Sequence, residues 1–122
     1  MSGSDGDLGK MTYPHQYEIW VASLDGAEGS EMKKTRPVAV VSPDSMNQNL
    51  GTVVICSLAS KVHRDWPSRL QIVCAGRTSE VAVDQIRTLN KERFVQCIDS
   101  LSDADSRHLR SIIRDLYAPE EG

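Results

Sequence analysis

Aromatic side chains are scarce in this chain: one phenylalanine (Phe94), two tryptophans (Trp20 and Trp66) and three tyrosines among 122 residues. A core must therefore be built mainly from aliphatic residues, and an exposed aromatic ring becomes conspicuous. No apolar run approaches the ~20 residues that a membrane-spanning helix needs. The N-terminal stretch holds no apolar segment of the kind a secretion signal carries. Cysteines are few as well. Cys56, Cys74 and Cys97 lie far apart, are odd in number and show neither CxxC nor paired-histidine spacing. That pattern argues against a zinc site or a disulfide framework, and three buried, reduced thiols in a cytoplasmic protein are expected. A large excess of positive charge is also missing. At a net charge of −3, any attraction to nucleic acid has to come from a local basic face.

What is present is an ordinary globular composition, 39% hydrophobic and 25% charged, over a length that suits one domain. Met1–Lys10 is rich in Gly, Ser and Asp with little to bury. Residues 1–16 are expected to be a disordered leader or a cloning remnant, with Met11 as an alternative start. Residues 17–118 are expected to form the domain, and 119–122 a tail. Alternating or β-branched runs predict strands over Tyr17–Leu24, Arg36–Ser42, Thr52–Leu58, Arg69–Cys74, Ser79–Val83 and Arg93–Ile98. Between them, Asp44–Leu50 reads as turn-rich, Ala59–Ser68 as a polar loop, Ala75-Gly76 as a tight turn and Asp84–Asn90 as an irregular or one-turn helical link. The end differs. Ser102 is a good N-cap, Asp103 and Asp105 suit the positive end of a helix dipole, and Leu109, Ile112, Ile113 and Leu116 repeat at helical spacing up to the stop at Pro119. The layout is mainly β (α+β): a small, strongly bent antiparallel barrel with one C-terminal amphipathic helix.

One stretch organises the reading. Gly29–Pro43, GSEMKKTRPVAVVSP, joins a basic loop to a compact apolar strand. Pro37 fixes its own φ and pushes Arg36 toward an extended conformation, so Arg36 projects from a defined backbone. Lys33, Lys34, Arg36, Lys61, Arg64 and Arg69 fall in two segments flanking a strand pair, which could form the local basic face.

Tyr17–Leu24, Gly29-Ser30-Glu31, Thr35-Arg36-Pro37, the VAVVSP strand, Asn49-Leu50-Gly51-Thr52, Asp84-Gln85-Ile86-Arg87-Thr88 and the helix start after Leu101 follow one another in an order and spacing that resembles the MazF/PemK/Kid toxin family. The resemblance spans about residues 17–117. It implies an SH3-like barrel (PemK/CcdB-like) with a C-terminal helix, a homodimer, and the toxin of a type II toxin–antitoxin pair. The implied activity is that of an mRNA interferase, a metal-independent, sequence-specific endoribonuclease acting on single-stranded RNA. The ribose 2′-hydroxyl attacks the adjacent phosphate and leaves a 2′,3′-cyclic phosphate and a 5′-hydroxyl end. No cofactor and no metal is implied. The implied partner is a MazE-like antitoxin whose acidic C-terminal segment neutralises the RNA groove.

Arg36 matches the family's catalytic arginine, whose planar fork suits two phosphate oxygens. The hydroxyl partner expected at the end of the third strand is a threonine, and that position is Ala59 here. Ser60 is the preferred replacement and Ser57, on the same strand face as Ala59, the second. Glu31 is expected to hold Arg36 or act as a base, or else to be a solvated loop carboxylate. Lys33, Lys34, Lys61 and Arg64 are expected to hold backbone phosphates. Trp66 is expected either to stack on a base or to pack on the barrel, and His63 stands alone with no required role. Gln85 and Arg87 are expected at phosphate, base or a dimer interface. Other branches carry a histidine and an arginine–aspartate pair where this chain has Ser30, Ala82 and Asp84. No such pair is therefore expected, and Asp84 is left to orient Arg36 or Arg87, or to cap the turn at Gln85. Two rival readings remain. One is a degenerate homologue that binds RNA or antitoxin without cutting, motivated by Ala59. The other is a CcdB-like gyrase-binding toxin, which the polar ending Ala118-Pro119-Glu120-Glu121-Gly122 disfavours.

Overall fold

Period-two alternation of apolar residues resolves into six antiparallel strands: β1 Glu18–Ser23, β2 Thr35–Val40, β3 Thr52–Ala59, β4 Arg69–Cys74, β5 Arg77–Asn90 and β6 Phe94–Ser100. A short helix, α1 (Asp44–Asn49), follows β2, and a long one, α2 (Asp103–Leu116), closes the chain. The computed structural model describes residues 13–24, 34–63 and 65–120. The strands form one sheet in the order β4-β5-β3-β2-β1-β6. The sheet curls until its ends meet, where the Ala75 N–H at the β4–β5 turn donates to Asp99 Oδ2 of β6 at 2.8 Å. The bent barrel with a C-terminal helix expected from the sequence is thus present, as a curled half-barrel. No helix of the described residues is long and apolar enough to cross a membrane.

Both faces of the sheet carry apolar side chains. Ile19, Ala39, Cys56, Leu58, Leu70, Ile72 and Val81 form a cluster capped by Leu109 of α2, with Ile112 and Ile113 packed against it. On the other face Ala22, Val38, Val40, Val53, Ile55 and Leu89 pack together, with Trp20 and Phe94 edge to face at 5.8 Å. The helix starts as its sequence predicts, since the Ser102 hydroxyl accepts the Asp105 N–H at 3.0 Å.

Four expectations need correction. Asp84–Asn90 is no link but the second half of β5, a strand of 14 residues. Asp44–Leu50 contains a helical turn pair rather than loose turns. Its buried Asn47 donates to the carbonyls of Pro14 and Ser42, which overrides the poor helix propensity of Asp, Ser and Asn. Those bonds also draw residues 13–16 onto the domain, with Pro14 buried, so the leader expected over 1–16 does not extend that far. Finally, only Cys56 and Cys74 are buried; Cys97 is exposed, on β6, a strand none of whose residues is fully buried. Burial, aided by the charge of Asp84, pushes the Cys56 thiol up to about 12, so it stays an unreactive core group.

Candidate active-site cleft

Side chains two residues apart on a strand share a face. Following the second apolar cluster along each strand therefore shows where it ends. Trp20 and Ala22 lead to Leu24. Val40 and Val38 lead to Arg36. Val53 and Ile55 lead to Ser57 and Ala59. Leu89 leads to Arg87 and Gln85. All of these end residues line one open cleft of about 640 Å³, together with Ile86 and with Ser60 and Lys61 at the exit of β3. The cleft is thus the polar continuation of a hydrophobic face, carried on rigid strands.

Pro37 explains why it opens there. β2 pairs with β1 out to Thr35, with Ala22 opposite Arg36, but pairing of β2 with β3 stops at Val38 opposite Ser57. Proline offers no N–H to extend that ladder. Arg36 is consequently exposed at the mouth of a gap between β2 and β3. Among the described residues, no carboxylate lies within ion-pair distance of Arg36, Lys61 or Arg87. Three cations of the described residues face one cavity, and that suits a polyanion.

The structure therefore brings together Arg36, Ser57, Ser60, Lys61, Gln85 and Arg87 from the sequence reading, with the departure Ala59 among them. Lys34 is exposed at the approach to β2, outside the cleft lining. Glu31, Lys33 and Arg64 lie outside the described residues.

Asp84 and Trp66 do something else. The β3–β5 register jumps between Cys56, opposite Ile86, and Ser57, opposite Ala82, so Val83, Asp84 and Gln85 bulge from the ladder. From this bulge Asp84 orients neither Arg36 nor Arg87. Its Oδ1 accepts Arg69 Nε at 2.8 Å and the Ser68 hydroxyl at 2.9 Å, and its Oδ2 accepts Arg69 Nη2 at 3.2 Å. An arginine–aspartate pair exists after all, with the arginine supplied by β4, where Arg69 stands opposite Ala82. Arg69 Nη1 also donates to Glu80, whose Oε1 accepts the His63 N–H at 2.7 Å and whose Oε2 lies 2.6 Å from His63 Nδ1. His63, which the sequence left isolated, stacks on Trp66 at 4.0 Å, and the Arg69 guanidinium lies over the same indole at 4.7 Å. Trp66 thus packs on this cluster while staying 48% exposed.

The hydrogen bond from Arg69 is the chief cause that holds the Asp84 carboxyl below its ordinary range, against partial desolvation and with help from Ser68. Burial pushes the Glu80 carboxyl up, but the hydrogen bonds from the His63 ring, the His63 N–H and Arg69 outweigh it and leave the group lowered. The Asp84 hydrogen bond in turn raises the Arg69 guanidinium, against the cost of its burial. Periodicity could not have found Arg69, Glu80 and His63 as a unit, because strand register brings them together. The only available signal was a charged Glu80 inside the apolar run of β5.

Comparison with known proteins agrees with this fold. The family model described as "PemK-like, MazF-like toxin of type II toxin-antitoxin system" matches residues 15–117. The Endoribonuclease MazF of Staphylococcus saprophyticus is 26% identical over 101 residues, covering 79% of this chain and 84% of that protein. Among solved structures, an endoribonuclease in complex with its cognate antitoxin from a mycobacterial species superposes with a TM-score of 0.72 at 19% identity, over 88% of this chain and 99% of that one. A MazE-MazF crystal structure from Deinococcus radiodurans gives 0.72 at 18% identity, over 88% and 98%.

Proposed function

Because the chain belongs to the PemK-like, MazF-like toxins of type II toxin–antitoxin systems, we propose that it is a sequence-specific endoribonuclease that cuts single-stranded RNA without a metal. The observation that carries this reading is the convergence of Arg36, Lys61 and Arg87 with the hydroxyls of Ser57 and Ser60 on one cleft. Among the described residues its lining offers cations and hydroxyl donors and includes no carboxylate.

In this reading the phosphodiester lies across the mouth of the cleft. The ribose 2′ oxygen forms the new bond to phosphorus, the bond to the 5′ oxygen breaks, and the proton lost at 2′ is balanced by one gained at 5′. Arg36 donates to two non-bridging oxygens as charge grows on the phosphorane, and Ser60 supplies the hydroxyl that the expected threonine would have given. Ser57 stands behind it as the second donor. Lys61 and Arg87 hold neighbouring phosphates, and Gln85 offers amide groups to a base edge. Glu31 is kept as the candidate proton acceptor or Arg36 partner, Lys33, Lys34 and Arg64 as outer phosphate contacts. The partners follow: an antitoxin whose acidic segment occupies the same cations, and a second copy of the chain in a homodimer, within the cytoplasm.

A second reading has one observation in its favour. Ala59 lines the cleft where the family pattern expects a threonine, which suits a homologue that binds RNA or antitoxin and does not cut. Long single-stranded RNA incubated with the protein in EDTA separates the two. Cutting at one short sequence with 5′-hydroxyl ends, abolished in Arg36→Ala, is expected. No cutting of any RNA with antitoxin binding intact supports the degenerate reading, and full activity in Arg36→Ala overturns the role given to Arg36.

A further inference from the structure

Directly opposed residues of antiparallel strands share a face. Ala59 is opposite Glu80, Ser57 is opposite Ala82, and Ala82 is opposite Arg69. The Arg69 cluster therefore lies on the same face of the sheet as the cleft, immediately beside it. Its centre is buried: the side chains of Glu80 and Arg69 are 1% and 7% exposed, while that of Asp84 is 40% exposed. Burying that guanidinium with the Glu80 carboxylate carries a desolvation cost that their pairing has to offset.

Its connections suggest another use. One arm runs from Arg69 through Glu80 to the backbone N–H and ring of His63. That arm fastens the loop two residues beyond Lys61 and three beyond Ser60. The other runs from Arg69 to Asp84, with Ser68 assisting, and the Ser68 carbonyl accepts the Val83 N–H at 2.9 Å. That arm fastens the three-residue bulge that β3 does not pair, one residue before Gln85. Two edges of the cleft, the loop leaving Ser60–Lys61 and the unpaired bulge that runs into Gln85, thus hang from one guanidinium, while Ile86 and Arg87 are held by their pairing with Cys56 and Ile55.

We propose that Arg69 is a positioning residue of the RNA cleft, setting through Glu80 and Asp84 the placement of Ser60 and Lys61 on one wall and of Gln85 on the other. It touches no substrate and acts only through the groups it fixes. The proposal rests on the endoribonuclease reading for its kinetic consequence, and its geometric part stands apart from it.

The test uses the full chain with Arg69→Lys, which keeps the charge but cannot grip two carboxylates in fixed directions. Assays run well below the melting temperature, so that every variant is folded. The expected result is a roughly 10- to 100-fold loss of kcat on a short single-stranded RNA, and displaced amide resonances of Ser60, Lys61 and Gln85, with those of Asp103–Leu116 unmoved. A wild-type kcat with unmoved cleft resonances overturns the proposal. If Arg69→Lys does not fold, a double-mutant cycle of Asp84→Asn with Gln85→Ala decides. Coupling between the two is expected if the bulge is placed by its clamp, and strict additivity overturns that arm. If the wild-type protein cuts no RNA, the function reading fails. The proposal is then judged by the amide resonances alone: displaced cleft resonances uphold its geometric part, and unmoved ones overturn it.

Discussion

Arg69 stands across the β4–β5 ladder from Ala82, and its guanidinium reaches past that small side chain to hold both oxygens of Asp84. A larger residue at position 82, which is fully buried, would compete for the same space. The pair anchors the irregular part of β5, and its electrostatics give a first prediction.

The Asp84 and Glu80 carboxyls are both held below their ordinary range when folded. As pH falls, the unfolded chain takes up protons before the folded one does. The stabilisation is therefore complete above about pH 5 and is lost as pH drops through the ordinary carboxylate values toward the folded ones. Urea midpoints measured from pH 7 down to pH 3 should fall steadily over that acid range. Asp84→Asn should show a lower midpoint at neutral pH and a shallower decline, and an unchanged decline would remove Asp84 as a contributor.

The missing threonine gives a second. Ser60→Ala should lower kcat about 100-fold, the usual scale for losing one donor to a developing oxyanion, and Ser57→Ala should cost less. Ala59→Thr should raise the rate of the wild-type chain and recover part of the loss in Ser60→Ala. A larger loss in Ser57→Ala, read from single-turnover cleavage, would transfer the role to Ser57.

A third concerns the turn that closes the sheet. Ala75 and Gly76 have φ of 50° and 82°, the left-handed region that a two-residue hairpin requires. Alanine pays about 1 kcal/mol there and asparagine less. Ala75→Asn keeps the N–H that binds Asp99 and should raise the melting temperature by about 2–8 °C. No change or a decrease in calorimetry would show the turn to be unstrained.

Much of the fold was legible because its signals are local. β-branched runs announced β3, Arg69–Cys74 matches β4 residue for residue, and Ser102 announced the start of α2 with the bond it makes. The second half of β5 was not, because Gln85 and Arg87 face the cleft and leave that stretch without apolar alternation. The cleft itself was legible through Arg36, Ser57, Ser60, Lys61, Gln85 and Arg87, since motif order singled them out although only Arg36 and Ser57 were expected on strands. The Arg69 cluster was hidden. His63, Arg69, Glu80 and Asp84 are 4 to 11 residues apart between neighbours in the chain, and only the register of β4 on β5, with its bulge, unites them. Cys97 was misjudged because its apolar neighbours Phe94, Val95 and Ile98 lie on a strand that buries none of its residues fully.

Val38, Ile55 and Leu89 pack the same strand faces that run on to carry Arg36, Ser57 and Arg87. Any directed-evolution campaign that hardens this protein by repacking that cluster therefore also acts, unasked, on the cleft lining. The helix side of the sheet around Leu109 and Ile72 reaches the cleft only through Leu58 and Ile86, so heat tolerance is better sought there, with those two residues left alone.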